Sequence, residues 1–293
     1  MHIFTQPPAI FISILRALFF PRRGLHSSES LPRLSAKLDK LIIDPAHLAR
    51  YGDICQITTA ETLPVLYPHV LAAPLHMWLI THPDFPLRLL GAVHLRNHII
   101  QQRLIHTHEI LSITCTIIDE RRTEKGLEFD FTTVVKNRDE IVWEGLTTYF
   151  VRGKFGNADE ESPLAELEKI TDAELISEWH IGESIAKRYA VITQDYNPIH
   201  ISKWLAKLLG FQRDLAHGFC VLAKSLSEAK IYPSSDKNIA HRIDVLFKGP
   251  VYLGNMAQLK QEDDRLDLYC GNNDRPSLCI KTTDIPANRF LTH

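Results

Sequence analysis

Hydrophobic and polar positions alternate with a period of two along "AVHLRNHIIQQ" (92–102), "HEILSITCTIIDER" (108–121), "LEFDFTTVVKN" (127–137) and "EIVWEGLTTYFVRG" (140–153). The same alternation returns in "AHRIDVLFKGPVY" (240–252), "NMAQLKQEDD" (255–264), "RLDLYCGN" (265–272) and "SLCIKTTDI" (277–285). These runs are rich in β-branched and aromatic residues, and turn signals such as Lys125-Gly126 and Asn272-Asn273 separate them. They predict two meanders of antiparallel strands.

Ahead of each meander stands an apolar run with a histidine near its head, "YPHVLAAPLHMWLI" (67–80) and "LAHGFCVLAKSLSEA" (215–229). The second run is apolar on nearly every face, so it predicts a buried helix. Further upstream, "LIIDPAHLARYGDICQ" (41–56) parallels "EWHIGESIAKRYAVITQ" (178–194): a short apolar strand, a polar start, and a helix carrying Arg-Tyr. Asp44-Pro45 starts the first of these helices well, a capping acid followed by proline at the first helical position. Each half therefore reads as strand, helix, long buried helix and meander, an α+β layout in which an antiparallel sheet wraps a central helix. The boundaries are an N-terminal helix and linker (1–40), a first unit (41–155), an acidic, part-helical linker (156–176) and a second unit (177–293).

The N-terminal stretch "AIFISILRALFFPRRG" (9–24) is too short and too interrupted by Arg16 to span a bilayer. Its positive charge follows the apolar run instead of preceding it, unlike a secretory signal. It reads as a helix packed on the body or lying on a membrane surface, followed by a linker, "RRGLHSSESLPRLSA" (22–36). With 293 residues, 23% of them charged, and a net charge of −2, the chain is globular and lacks the positive field of a nucleic-acid binder. Five scattered cysteines with no C-x-x-C pair argue against a disulfide framework or zinc ribbon and fit a reducing, cytoplasmic setting.

Candidate chemistry concentrates in "RYAVITQDYNPIHIS" (188–202). A helix over Glu183–Thr193 stops near Asp195, and Asn197-Pro198 turns the chain sharply. The turn folds His200 back towards Asp195, aiming two titratable groups into one space.

"DYNPIH" (195–200) followed by "AHG" (216–218) resembles the hydratase 2 motif of MaoC-like dehydratases, hot-dog enzymes acting on acyl thioesters. Members with two repeats carry a double hot dog in one chain, in agreement with the repeat above. The resemblance implies that Asp195 and His200 are a catalytic pair. They hold a water for addition across a trans-2-enoyl thioester, giving the (R)-3-hydroxyacyl product, or run the dehydration in reverse. It implies that Gly218 offers its backbone N–H to the thioester carbonyl, that Asn197 with Pro198 forms the family's turn, and that His217 is the structural histidine before the glycine. Gln194 departs from the pattern, since the family usually has glycine there. Leu226 stands near where some members carry a serine facing the site, with Ser225 and Ser227 on either side. No metal and no cofactor are implied; coenzyme A or an acyl carrier protein is the handle of the substrate.

General chemistry suits these roles. Hydrating an activated alkene needs a base for water, a proton for the α-carbon and a sink for charge on the carbonyl oxygen. An imidazole with a pKa near ~6.5 serves either direction, and a helix N-terminus presents free N–H groups to an enolate oxygen. His200 as base with Asp195 as partner, or the reverse, both satisfy the reaction. The first half has no such motif: "ICQITTAETLP" (54–64) lacks it, and no glycine follows His69. That unit reads as degenerate and, by the resemblance, as room for a longer or bulkier acyl chain.

Blander explanations cover the remaining features. His94 and His98, or His106 and His108, read as packed or surface histidines and not metal ligands, because no carboxylate or cysteine cluster accompanies them. Arg96, Arg103, Arg242 and Lys248 are candidates for phosphate contacts but equally for ordinary surface charge. Core packing explains Trp179 and Trp204 as well as ligand contact does. Two rivals to the hydratase remain: a hot-dog thioesterase, and a non-catalytic acyl-thioester binding subunit. A homodimer is open, and no nucleic-acid partner or transmembrane segment is expected.

Overall fold

The computed structural model of the chain describes residues 1–9, 22–58, 61–87, 92–158, 170 and 173–291. Most of the expected N-terminal helix and of the part-helical linker lies outside these residues. Eleven strands form one sheet among them: β1 (His2–Phe4), β2 (Ser35–Leu41), β3 (Val93–Gln101), β4 (Leu111–Thr123), β5 (Gly126–Asn137), β6 (Glu140–Arg152), β7 (Glu174–His180), β8 (Ile239–Phe247), β9 (Met256–Glu262), β10 (Arg265–Cys270) and β11 (Leu278–Pro286). Their order is β1-β2-β4-β5-β6-β3-β8-β11-β10-β9-β7. All pairings are antiparallel except β1 with β2.

The eight alternating runs are eight of these strands. The two sheets expected from the repeat are the two wings of one sheet, joined where β3 pairs with β8. At that seam Ile99 faces Ile243, both fully buried, and His98 Nδ1 lies 2.6 Å from Asp244 Oδ1. The seam strands carry apolar side chains in register, so each wing covers an edge that the other would leave open.

Six helices accompany the sheet among the described residues: α1 (Pro45–Cys55), α2 (Tyr67–Ile80), α3 (Ile185–Thr193), α4 (Pro198–Ile201), α5 (Lys203–Leu208) and α6 (Gly218–Glu228). The Asp44 side chain accepts from Ala46 N and Pro45 occupies the first turn, as the sequence indicates. The repeat extends to details. Helices α1 and α3 both end on a glutamine in the left-handed region, Gln56 (φ 56°) and Gln194 (φ 56°). Their Arg-Tyr positions face each other across the pseudo-symmetry, with Arg188 bonded to Asp53 and the Tyr51 and Tyr189 rings 6.5 Å apart. The long helices α2 and α6 fill the interior, where Tyr67, Leu75, Leu79, Leu222 and Leu226 are buried.

Two segments read as linkers are structural. Strand β2 begins at Ser35, ahead of the boundary expected at 41, and β7 begins at Glu174, ahead of the one at 177. The "RRGLHSSESLPRLSA" tract is a strap. The Arg22 guanidinium donates to the carbonyls of Thr81, His82 and Phe85 at 2.9, 2.6 and 3.1 Å, and Leu31 is buried. Its polar composition reflects the solvent side of a segment whose few anchors are widely spaced.

Candidate active site

Local hydrogen bonding builds the motif. After the left-handed Gln194 (φ 56°, ψ 21°), the Asp195 amide donates to Thr193 Oγ1 at 3.3 Å. Asp195 Oδ1 accepts from the Asn197 amide at 3.1 Å, closing a turn in which the side chain replaces a backbone acceptor. Asn197 then caps α4, accepting from Ile199 N at 3.4 Å, with Pro198 in the first turn. Its Nδ2 donates to Ala92 O at 3.4 Å, tying the turn to the start of β3 in the first half. Gln194 sits where a glycine would be free of the Cβ penalty of positive φ, which gives the family's usual residue a backbone reason.

His200 lies in the single turn of α4, and His217 is the N-cap residue of α6. Their rings stack at 3.8 Å with a 25° interplanar angle. One ligating atom from each of Asp195, His200 and His217 falls within 4.8 Å of the others. His217 Nε2 is 3.1 Å from the Asp195 carbonyl and 3.7 Å from Asp195 Oδ2. His200 Nδ1 is 3.0 Å from the Leu215 carbonyl. A carbonyl only accepts, so His200 carries its proton on Nδ1 and presents a lone pair at Nε2; His217 by the same logic is protonated on Nε2.

Burial sets the charge states. It pushes His217 down to about 3, aided by the neighbouring His200 and opposed by Asp195. His200 is also lowered by burial, with the Asp195 carboxylate and the Leu215 carbonyl pulling the other way. Burial alone would raise Asp195, but His217, His200 and the Asn197 amide outweigh it and leave the carboxyl below its ordinary value. The neutral-pH state is thus a carboxylate beside two uncharged imidazoles. The Asp195 side chain remains 41% exposed despite these close neighbours, so it lines an opening and not a sealed core.

Gly218 is the first residue of α6, and its amide is among those with no acceptor inside the helix. A Cβ there would stand 2.5 Å from Phe247 Cε1 and 2.7 Å from Cδ1. Only glycine fits beneath that ring without displacing it.

The first half contributes two groups: His94, which in the sequence reads only as a packed or surface histidine, and Tyr149, which the sequence does not single out. His94, on β3, is pushed down to about 3 by burial, and Asp195 acts on it in the opposite sense. Tyr149, on β6, is raised by burial and by the same carboxylate. His94 stacks on Tyr149 and on Phe219, each at 5.1 Å, while His69 lies flat against Phe219 at 3.9 Å. His94 therefore belongs to the wall of the site, and its metal-like spacing to His98 is incidental. No local pattern marked it as part of the site, because it and Asp195 come from different halves of the chain and meet only in the fold.

Other candidates lie elsewhere. Arg96 is bonded to Glu128 at 2.8 Å, Arg103 to Glu109 and Glu140, and Arg242 to Asp244. These arginines are held by internal carboxylates and do not converge on the site. His106 and His108 stack on one another at 5.4 Å in a loop, and Ser225 Oγ donates to Val221 O at 2.9 Å. Asp195, His200 and His217 form a donor set of one carboxylate and two imidazoles, chemically able to hold a divalent cation as well as a water. No helix among the described residues is long and apolar enough to cross a membrane.

The family model described as the MaoC like domain matches residues 154–271. The chain is 30% identical over 257 residues to 3-hydroxyacyl-thioester dehydratase X of Mycobacterium tuberculosis, covering 87% of this chain and 89% of that protein. The crystal structure of the M. tuberculosis protein HtdX superposes with a TM-score of 0.71 at 28% identity, covering 86% of this chain and all (100%) of that one. A MaoC-like dehydratase from Phytophthora capsici gives 0.64 at 16% identity, over 89% of this chain and 98% of that one. An M. tuberculosis protein with a double hotdog fold gives 0.56 at 11% identity, over 90% and 99%.

Proposed function

The chain belongs to the MaoC-like dehydratase family of double hot-dog hydro-lyases, and from that premise we propose that it interconverts trans-2-enoyl and (R)-3-hydroxyacyl thioesters through Asp195 and His200. The observation that carries the reading is the convergence of the Asp195 carboxylate and the His200 imidazole, with the Gly218 amide at the helix end beyond them.

In the hydration direction, a water between the two side chains gives one proton to His200 Nε2, while its other O–H bond stays intact and donates a hydrogen bond to the Asp195 carboxylate. The oxygen bonds to C3, and the C2–C3 π pair moves onto the thioester as an enolate. The Gly218 N–H and the partial positive charge of the α6 N-terminus stabilise that oxygen. The proton returns from the imidazole to C2, so one water is added overall. Because His200 Nδ1 is held by the Leu215 carbonyl, the reactive nitrogen is Nε2 in both directions. Exchanging the roles of Asp195 and His200 preserves the same balance.

His217, neutral and stacked on His200, positions the pair by gripping the Asp195 backbone. The first half, with His69 and His94 against Phe219 and Tyr149 behind His94, supplies the wall along which the acyl chain runs. Five free, buried cysteines fit a cytoplasmic setting. The test is loss of enoyl absorbance on thioesters of graded chain length, with chiral analysis of the product. Formation of the (R)-alcohol with intermediate and longer chains is expected. Release of free thiol without hydration would favour a thioesterase, and strict preference for four carbons would refute the acyl-wall role of the first half.

A further inference from the structure

We infer that α5, beside the Asp195–His200 turn, is the docking surface for an acidic acyl-carrier domain that presents the thioester on a phosphopantetheine arm. This rests on the hydratase reading above. The helix is built to be exposed: Ser202 caps it through Leu205 N, and Ala206 is its one buried residue. Trp204 is 78% exposed, Leu208 82%, Leu205 46% and the neighbouring Tyr196 45%. Four large apolar side chains around one short segment exceed the scattered exposure of an ordinary surface.

Charge selects the occupant. Lys203 and Lys207 make no ion pair with any described residue, and Lys207 Nζ sits 5.7 Å above the Trp204 ring. The acids Glu183 and Asp214 are engaged by Arg213. The patch is thus cationic and apolar on a chain whose net charge is −2. An acidic protein surface with its own apolar residues meets both properties, and steering by charge sets orientation at encounter. A nucleotide handle would cover one ring and the cations but leave Leu205, Leu208 and Tyr196 wet. Position agrees, since α5 starts directly after the Ser202 that ends the His200 turn, and Asp195 opens to solvent beside Tyr196.

The test compares one enoyl group on three handles: an acidic acyl carrier protein, coenzyme A and N-acetylcysteamine. K203E/K207E is expected to raise KM for the carrier thioester at least tenfold, in a salt-sensitive manner, and to leave KM for the N-acetylcysteamine thioester within twofold. Carrier binding, followed by fluorescence anisotropy without turnover, should weaken in parallel. Equal KM values for variant and wild type on the carrier substrate would overturn the inference. So would an increase confined to coenzyme A, loss of binding to anionic vesicles with carrier binding intact, or a change in solution mass caused by W204A. If no handle supports turnover yet carrier binding still depends on the lysines, the surface stands and the hydratase reading falls.

Discussion

In the proposed mechanism Asp195 and His200 suit neutral pH because their surroundings push them apart in charge. The carboxyl is held below its ordinary value and the imidazole below its own, so the pair is anion plus neutral base. Protonating His200 removes the base, and its lowered pKa delays that event. The profile of kcat/KM should therefore be flat through neutral pH and fall on the acid side only below the ordinary histidine value of ~6.5. An acid limb centred above that value would contradict this charge assignment. Gly218→Ala forces a methyl into the Phe247 ring and should lower kcat by roughly tenfold or more by displacing the amide it carries. If Phe247→Ala restores the thermal stability of that variant, the clash is the cause. Gln194→Gly relieves the Cβ penalty of positive φ but costs about as much in backbone entropy, so it should leave Tm nearly unchanged. Gln194→Ile should lose about 1–2 kcal/mol, measured by urea unfolding.

Among the elements, the β3–β8 seam decides whether the two halves act as one. Ile99 and Ile243 pair across it with no exposure, and Ile99→Ala should cost about 2–4 kcal/mol. Unfolding should stay a single transition in that variant. Two separate transitions would show that the wings fold independently. Eight strands were legible because each alternates cleanly, and the Asp44-Pro45 start was legible because capping chemistry is local. Strand β1 was not, and of β2 and β7 only the C-terminal ends were, where the short apolar strand ahead of each helix falls. His2–Phe4 is three residues long, and Glu174–His180 is a mostly polar edge strand that resembles linker. The motif itself was legible down to the turn, since Asp195, Asn197 and Pro198 fold on one another. His94 and Tyr149 were hidden because their proximity to Asp195 depends on sheet register and not on neighbours in sequence.

Over the whole molecule, a set of buried neutral histidines makes the fold acid-sensitive. Burial pushes His76 to about 4, His94 and His217 to about 3, and His69 well down. Between their folded values and ~6.5 the unfolded chain binds more protons than the folded one, so stability rises with pH and is lost as pH falls through that window. Tm should drop steeply between pH 6.5 and about 4, and less steeply in His76→Phe. A flat profile would mean these rings are hydrated in solution. The proposed reaction requires Asp195 and His200 to act together on one water. Turnover of an enoyl N-acetylcysteamine thioester by D195N, H200Q and the double variant tests it most directly. Each single change should cost roughly 10²–10⁴-fold in kcat at unchanged Tm, and the double variant about as much as either alone. Near-wild-type turnover in either single variant would contradict it.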